Sequence, residues 1–265
     1  MRDEHGTMSK KPVRKSLAVE RSAVSDQRSE AVLIIFAKAP VPGQVKTRLC
    51  PPLTPDEAAS LHGSFVLDAL ERSRGVAKMD RILACDPSSH HVFFKIMEER
   101  QGVRLVDQMG EGLGARMSRA CTDAFTEGYR QALIVGSDLP TLQPSVYTQA
   151  VGLLAQHDLV LGPAHDGGYY LLGLGRPVPE LFEEIPWSTD QVLALTQRKA
   201  DSLGLKTALL PPCRDVDRIE DVVTLIEEEG LATGRTNPTA TRLSKRTAGA
   251  LRLIAERLKT RGSTG

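Results

Sequence analysis

Apolar residues recur along this chain in two alternating patterns, short continuous runs and longer stretches with one apolar face. The first run, Ala31-Val-Leu-Ile-Ile-Phe36, is unbroken and partly β-branched, which predicts a strand buried on both faces. Pro40, Pro42 and Gly43 then forbid regular structure. Thr54-Pro-Asp-Glu57 predicts a helix start, with a Thr cap, Pro at the first helical position and acids in the first turn. That helix runs to about Arg74. The alternation continues with predicted strands at 81–85, 103–106, 131–135, 159–161, 169–174 and 205–210, and predicted helices at 89–100, 113–129, 144–156 and 219–229. Ser188-Thr-Asp-Gln191 has the form of a capping box and predicts one more helix. No internal repeat is visible. Such alternation predicts βαβ units and an α/β fold with a mostly parallel sheet. Functional sites in such sheets lie at the carboxyl ends of the strands.

The two ends depart from this pattern. Residues 1–29 show no apolar period and are rich in Ser, Lys, Arg and Glu, which predicts a disordered tail ahead of a body spanning 30–230. After Gly230 the composition shifts to Thr, Gly, Asn and Pro, predicting a linker over 231–241. Leu243, Ala250, Leu251, Ile254 and Leu258 then form an apolar stripe on a basic helix predicted over 242–261. The stripe suits either docking on the chain's own body or contact with a membrane surface or partner.

Hydrophobic residues make up 41% of the 265 and charged residues 25%, as in ordinary soluble proteins. No stretch approaches the roughly 20 apolar residues that span a bilayer. The first 30 residues lack an apolar signal core, so a cytoplasmic location is expected. Cys50, Cys85, Cys121 and Cys213 are widely spaced, which predicts free thiols rather than a zinc site or disulfide framework. The net charge of +1 divides into +3 over 1–29, −9 over 30–234 and +7 over 235–265. An acidic body argues against a nucleic-acid partner, which needs a basic face. To handle phosphates it must concentrate its few cations or use a metal.

Four segments after predicted strands carry candidate chemistry. In Phe36-Ala-Lys-Ala-Pro-Val-Pro-Gly-Gln-Val-Lys-Thr-Arg-Leu49, a stiff loop holds Lys38, Lys46 and Arg48 around Gly43. Loop amides and fixed cations suit a nucleotide diphosphate, and a solvated basic loop is the plainer alternative. The loop matches neither a Walker loop nor a Rossmann fingerprint. In Val135-Gly-Ser-Asp-Leu-Pro-Thr141, Asp138 suits a hard divalent cation, or an Asx turn. In Gly162-Pro-Ala-His-Asp-Gly-Gly-Tyr-Tyr-Leu-Leu-Gly173, Asp166 suits a general base or a turn-forming role before Gly. His165 reads more simply as a turn residue. In Arg214-Asp-Val-Asp-Arg218, Asp215 and Asp217 fall on one side if the segment is extended. Asp217 then serves as a second metal carboxylate, as the cap of the next helix, or both. The Gly-rich turn Gln108-Met-Gly-Glu-Gly-Leu-Gly114 leaves room for a flat base or ribose, and Trp187 suits either sugar stacking or core packing.

In this order, Phe36-Ala-Lys-Ala-Pro40, Gly43, Lys46-Thr-Arg-Leu49, Leu113-Gly-Ala-Arg-Met117, Gly136-Ser-Asp-Leu-Pro140, the Gly162–Gly173 segment, Pro186-Trp-Ser188 and Asp215-Val-Asp217 resemble the DUF2064 family over roughly residues 31–230. The resemblance implies a GT-A-like, nucleotide-diphospho-sugar transferase fold, a three-layer α/β/α arrangement. It places a nucleotide on Lys38, Ala39, Pro40, Gly43, Lys46, Arg48, Ser137 and Asp138, with the base near Leu113 and Gly114. It makes Asp138 the counterpart of a D-x-D metal carboxylate. Here a single Asp stands in Ser137-Asp-Leu-Pro140, so Asp217 is expected as the second ligand for Mg²⁺ or Mn²⁺. The usual Thr-Pro after the last Asp is Arg218-Ile219 in this chain.

The resemblance implies a metal-dependent glycosyltransferase with a nucleotide-sugar donor. Its acceptor would be a small metabolite, and an arsenosugar role has been attached to the group. In that reading Lys46 and Arg48 stabilise the leaving diphosphate and Asp166 positions or deprotonates the acceptor. The 2-phospho-lactate guanylyltransferases resemble the chain in Lys46-Thr-Arg-Leu49, Ser137-Asp-Leu-Pro140 and Asp215-Val-Asp217, which keeps nucleotidyl transfer as an alternative. A non-catalytic nucleotide-binding protein working through its basic terminal helix is a third.

Overall fold

The run that opens the body forms β1 (Ala31–Lys38), two residues longer than its apolar core. Its side chains alternate between two buried clusters, Leu33 and Ile35 facing one and Val32 and Ile34 the other. Burial on both faces is why the strand reads as a continuous apolar run rather than an alternating one. The computed structural model describes residues 29–231 and 243–262. The tail expected over 1–29 and the linker over 231–241 lie outside these, apart from Ser29 and Leu231. Leu231 is buried against the body.

From β1 the chain passes through a 3-10 turn at Thr47–Leu49 to α1 (Pro55–Ser73). The predicted cap forms there: Glu57 N donates to Thr54 Oγ1, and Thr54 N donates to the Glu57 carboxylate at 2.7 Å. Then follow β2 (Met79–Asp86), α2 (Val92–Gln101), β3 (Arg104–Asp107), α3 (Gly112–Thr126), β4 (Gln131–Gly136), α4 (Pro144–Leu153), β5 (Leu159–Pro163) and β6 (Tyr169–Leu174). A 3-10 turn at Pro179–Phe182 leads to α5 (Val192–Ser202), β7 (Thr207–Leu209), α6 (Ile219–Glu228) and α7 (Lys245–Gly262). The strands form one seven-stranded sheet in the order β3-β2-β1-β4-β6-β5-β7, parallel except for β6. Helices α1, α2 and α4 cover one face, and α3 and α5 the other, making three layers.

Register positions the site. Phe36 pairs with Gly136, so the loops after β1 and β4 leave the sheet side by side. The antiparallel β6 returns the chain so that β5, and β7 beside it, run in the direction of β1. Four loops therefore open at one edge, where the strands' carboxyl ends lie.

Helix α5 corrects an expectation. The Ser188–Gln191 box does not form; the helix starts at Val192 and Gln191 makes no side-chain cap. Thr189 Oγ1 instead donates to Pro186 O, and Leu193 N donates to Gly167 O, so the segment is held by the β5–β6 turn. A Cβ on Gly167 would lie 2.0 Å from Asp190 O, an approach that only glycine permits.

Helix α7 uses its apolar stripe within the chain. Leu243, Leu251 and Ile254 are buried in a third cluster, with Ala250 and Leu258 packed at its edge. The same cluster holds Leu61 and Phe65 of α1, Val222 and Leu225 of α6, and Leu49 and Val216 from the site loops. Polar contacts fix the helix: the buried Asp68 carboxylate accepts from Ser244 Oγ at 3.0 Å, Thr247 Oγ1 at 2.6 Å and the Arg246 guanidinium at 2.7 Å. All four cysteines are free. No helix among the described residues is long and apolar enough to cross a membrane.

Candidate active site

Lys46, Asp138 and Asp217 come from three loops and meet at the carboxyl edge. Lys46 takes a left-handed backbone conformation (φ +50°) at the start of the 3-10 turn, turning its side chain inward. That side chain is 3% exposed. Its ammonium lies 2.9 Å from Asp138 Oδ2 and 3.6 Å from Asp217 Oδ1, and donates to the Val216 carbonyl. Val216 N in turn donates to the Asp138 carbonyl at 3.0 Å. The 215–217 segment is thereby tied to both the β1 and β4 loops.

Asp217 also accepts from Arg48 at 2.6 Å, a charge-assisted bond. Its side chain does not cap the following helix. Residue Arg218 holds the cap position of α6, and Asp221 accepts from the backbone N–H groups of Asp217 and Arg218. Of the two roles open to Asp217, the structure leaves its carboxylate to the cations.

Asp138 is flanked on its other side by a buried histidine that belongs to no sequence motif. His62 of α1 is buried, with Nδ1 3.4 Å from Asp138 Oδ1 and Nε2 3.1 Å from the Lys38 carbonyl. It falls among Leu61, Phe65, Val66 and Ala69 on the buried face of α1, so its signal was a polar residue at a core position. Burial raises the Asp138 carboxyl, but Lys46 and then His62 outweigh it and hold the group well below the usual carboxylate range. Asp138 is therefore ionised at any pH where the protein works.

The third carboxylate behaves differently. Half-buried Asp215 is pushed up to about 6, chiefly by burial and then by the charge of Asp166. Asp166 itself is exposed and accepts from Gly168 N at 2.9 Å, the turn-forming role open to an Asp before Gly. It lies close enough to Asp215 to act on it electrostatically. His165 is exposed.

The remaining predicted residues line the rim or lie elsewhere. Lys38 is exposed at the end of β1, Ala39 is buried with its N–H on the Asp86 carbonyl, and Pro40 packs against Gly63 of α1. Gly43 is exposed with φ +76°. Ser137 is buried beside Asp138. Leu113 is 43% exposed and remains open to a ligand. Gly114 is not bare backbone: a Cβ there would sit 2.2 Å from Trp187 Nε1. The Trp187 indole covers Gly114 and packs against Phe182 and Tyr169, so its use is core packing and the expected open face at Gly114 is filled.

Three observations bear on a cation. No group of three or more His, Cys, Asp or Glu side chains among the described residues is arranged to hold a metal by itself. Two carboxylates, however, converge on Lys46, and Asp217 pairs with Arg48 as well. One or two carboxylates completed by phosphate oxygens is the ordinary donor set of Mg²⁺, so Asp138 and Asp217 fit a metal that arrives with a nucleotide.

A family model described as "Uncharacterized protein conserved in bacteria (DUF2064)" matches residues 69–189. The chain is 30% identical over 186 residues to a 3-phospho-D-glycerate guanylyltransferase from Phenylobacterium zucineum (strain HLK1), covering 67% of this chain and 82% of that protein. It is 29% identical to a solved protein from Desulfovibrio desulfuricans G20 provisionally described as a nucleotide-diphospho-sugar transferase. That match has a TM-score of 0.76 and covers 88% of this chain and 98% of the other.

Proposed function

Because the chain belongs to the DUF2064 family and is a transferase with the nucleotide-diphospho-sugar transferase fold, we propose that it is a nucleotidyltransferase acting on a nucleoside triphosphate and a small phosphorylated acceptor. The observation that carries this is the convergence of Lys46 and Arg48 on Asp138 and Asp217 at the carboxyl edge of the sheet. Cations and carboxylates so interleaved suit a polyphosphate accompanied by a divalent cation. The guanylyltransferase relative, matched over most of its length, favours nucleotidyl over glycosyl transfer.

In this reading an acceptor phosphate oxygen attacks the α-phosphorus, the bond from that phosphorus to the bridging oxygen breaks, and pyrophosphate leaves. Lys46 and Arg48 turn from their carboxylates to the triphosphate and stabilise charge on the departing pyrophosphate. Asp138 and Asp217 hold Mg²⁺ or Mn²⁺, which when bound neutralises phosphate charge and orients the oxygens. Leu113 offers an apolar surface to the base. Asp166 and Asp215 lie on the side where the acceptor approaches, and a phosphorylated acceptor needs no deprotonation by them.

The test supplies GTP and 3-phosphoglycerate with Mg²⁺ or Mn²⁺ and reads pyrophosphate. A second arm supplies nucleotide sugars and reads released nucleoside diphosphate. Pyrophosphate that depends on acceptor and metal supports the proposal. Nucleoside diphosphate without pyrophosphate would replace it by glycosyl transfer, the reading favoured by the likeness to the D. desulfuricans protein.

A further inference from the structure

The geometry points to His62 as the positioning residue that sets the orientation of the Asp138 carboxylate. The inference rests on the reading of Asp138 as the carboxylate of the phosphate site. A carboxylate at the end of a strand can swivel unless both oxygens are held. Oδ2 is held by Lys46 at 2.9 Å. Oδ1 is buried, has no hydrogen-bond partner, and looks onto His62 Nδ1 at 3.4 Å. Nδ1 is likewise buried without a hydrogen-bond partner. The two buried atoms face each other directly.

The imidazole is itself fixed. Nε2 lies 3.1 Å from the Lys38 carbonyl. That contact sets the ring plane and aims Nδ1 at Asp138 Oδ1. His62 thus links the start of the cationic loop to the β4 carboxylate from behind, on a rigid helix. A metal-facing carboxylate held this way keeps one geometry when Lys46 swings to the phosphates. Partners of this kind typically alter metal affinity by 10–100-fold.

The two nitrogens can be separated by substitution. His62→Asn keeps a polar nitrogen near the place of Nδ1, facing Asp138. His62→Gln keeps one near the place of Nε2, facing the Lys38 carbonyl. Mn²⁺ binding in the presence of GTP, read by electron paramagnetic resonance on the full chain, is compared for wild type, His62→Ala, His62→Asn, His62→Gln and Asp138→Asn. The split between kcat and the KM for Mn²⁺ is read alongside. The expected result is at least about a 10-fold weaker Mn²⁺ affinity in His62→Ala, most of it restored in His62→Asn and little in His62→Gln.

Equal rescue by Asn and Gln would overturn the inference, because a tether to the Lys38 carbonyl or simple space filling would then suffice. So would wild-type Mn²⁺ affinity in all three His62 variants while Asp138→Asn loses it, and the phosphate-site reading would survive. Unchanged affinity in Asp138→Asn would instead remove that reading. Should His62→Ala fail to fold, the comparison of Asn with Gln decides alone.

Discussion

Replacing Asp68 with Ala tests how α7 is held and what it supports. The Asp68 carboxylate is fully buried in the middle of α1 and receives three donors from the start of α7. Truncation removes all three. It leaves the Thr247 hydroxyl, in a fully buried residue, without its 2.6 Å acceptor. Breaking a buried ion pair from one side costs about 3–5 kcal/mol. The low end applies, because Arg246 is 35% exposed and keeps Glu71 at 2.9 Å. About 3 kcal/mol in a chain of this size lowers the melting midpoint by roughly 6–12 °C. Asp68→Asn keeps the shape and an acceptor for the hydroxyls, and should cost about 1–1.5 kcal/mol.

The consequence reaches the site, since α7 packs in the same cluster as Leu49 and Val216. Leu49 ends the 3-10 turn that carries Arg48, and Val216 holds Lys46 through its carbonyl. Loosening α7 should therefore lower activity at temperatures still below the melting midpoint. Calorimetry on wild type, Asp68→Ala and Asp68→Asn, with activity assayed across the same range, checks this. An Asp68→Ala midpoint within about 2 °C of wild type would refute the argument, because no burial-based accounting makes the loss of three donors to a buried carboxylate so small.

Three further outcomes are expected. Lys46→Met should lower kcat/KM for the nucleotide by about 100-fold or more, yet raise Mn²⁺ affinity without nucleotide, because Asp138 and Asp217 lose their internal cation; weaker metal binding in that variant would contradict the site. The Glu57 carboxyl is lowered from 4.5 to about 2, first by its hydrogen bond from Arg257 of α7 and then by that from Thr54 N. A depressed carboxyl contributes stability above its unfolded value that is lost as pH falls, so the deficit of Glu57→Gln relative to wild type should shrink between about pH 4.5 and 2 in acid-titrated melts. Gly114→Ala should displace the indole, since the new Cβ would meet Trp187 Nε1 at 2.2 Å and the ring cannot bend away. As Trp187 is the only tryptophan, a red-shifted emission spectrum reports this directly, and an unshifted spectrum would deny the contact.

The parts of this molecule that could be read from sequence are those where local pattern and tertiary need coincide. Continuous apolar runs such as that of β1 mark strands covered on both faces, and the loops after them hold the candidate residues because parallel strands open their carboxyl ends together. That rule brings Lys46, Asp138 and Asp217 to one edge as candidates, although 170 positions separate Lys46 from Val216, whose carbonyl it holds. The misses arise where distant packing overrides local signals. The Ser188–Gln191 box has the right letters, but Asp190 lies against the bare backbone of Gly167, Leu193 N donates to Gly167 O, and α5 starts only at Val192. The glycine turn before α3 suggests an empty shelf, and an indole from far along the chain fills it at Gly114.

His62 and Asp68 share one reason for escaping notice: on an amphipathic helix, a polar residue at a buried position looks like a flaw in the apolar face. In α1 both flaws have partners supplied by other elements. Asp68 faces the start of α7 and His62 faces the carboxylate after β4. A single helix thus joins the terminal helix to the candidate site through two buried polar side chains less than two turns apart. That coupling gives a specific expectation: Asp68→Ala should weaken Mn²⁺ binding less than His62→Ala does, although it should lower the melting midpoint more. The reverse order in both measurements would mean that α1 transmits general stability to the site rather than holding Asp138 through one contact.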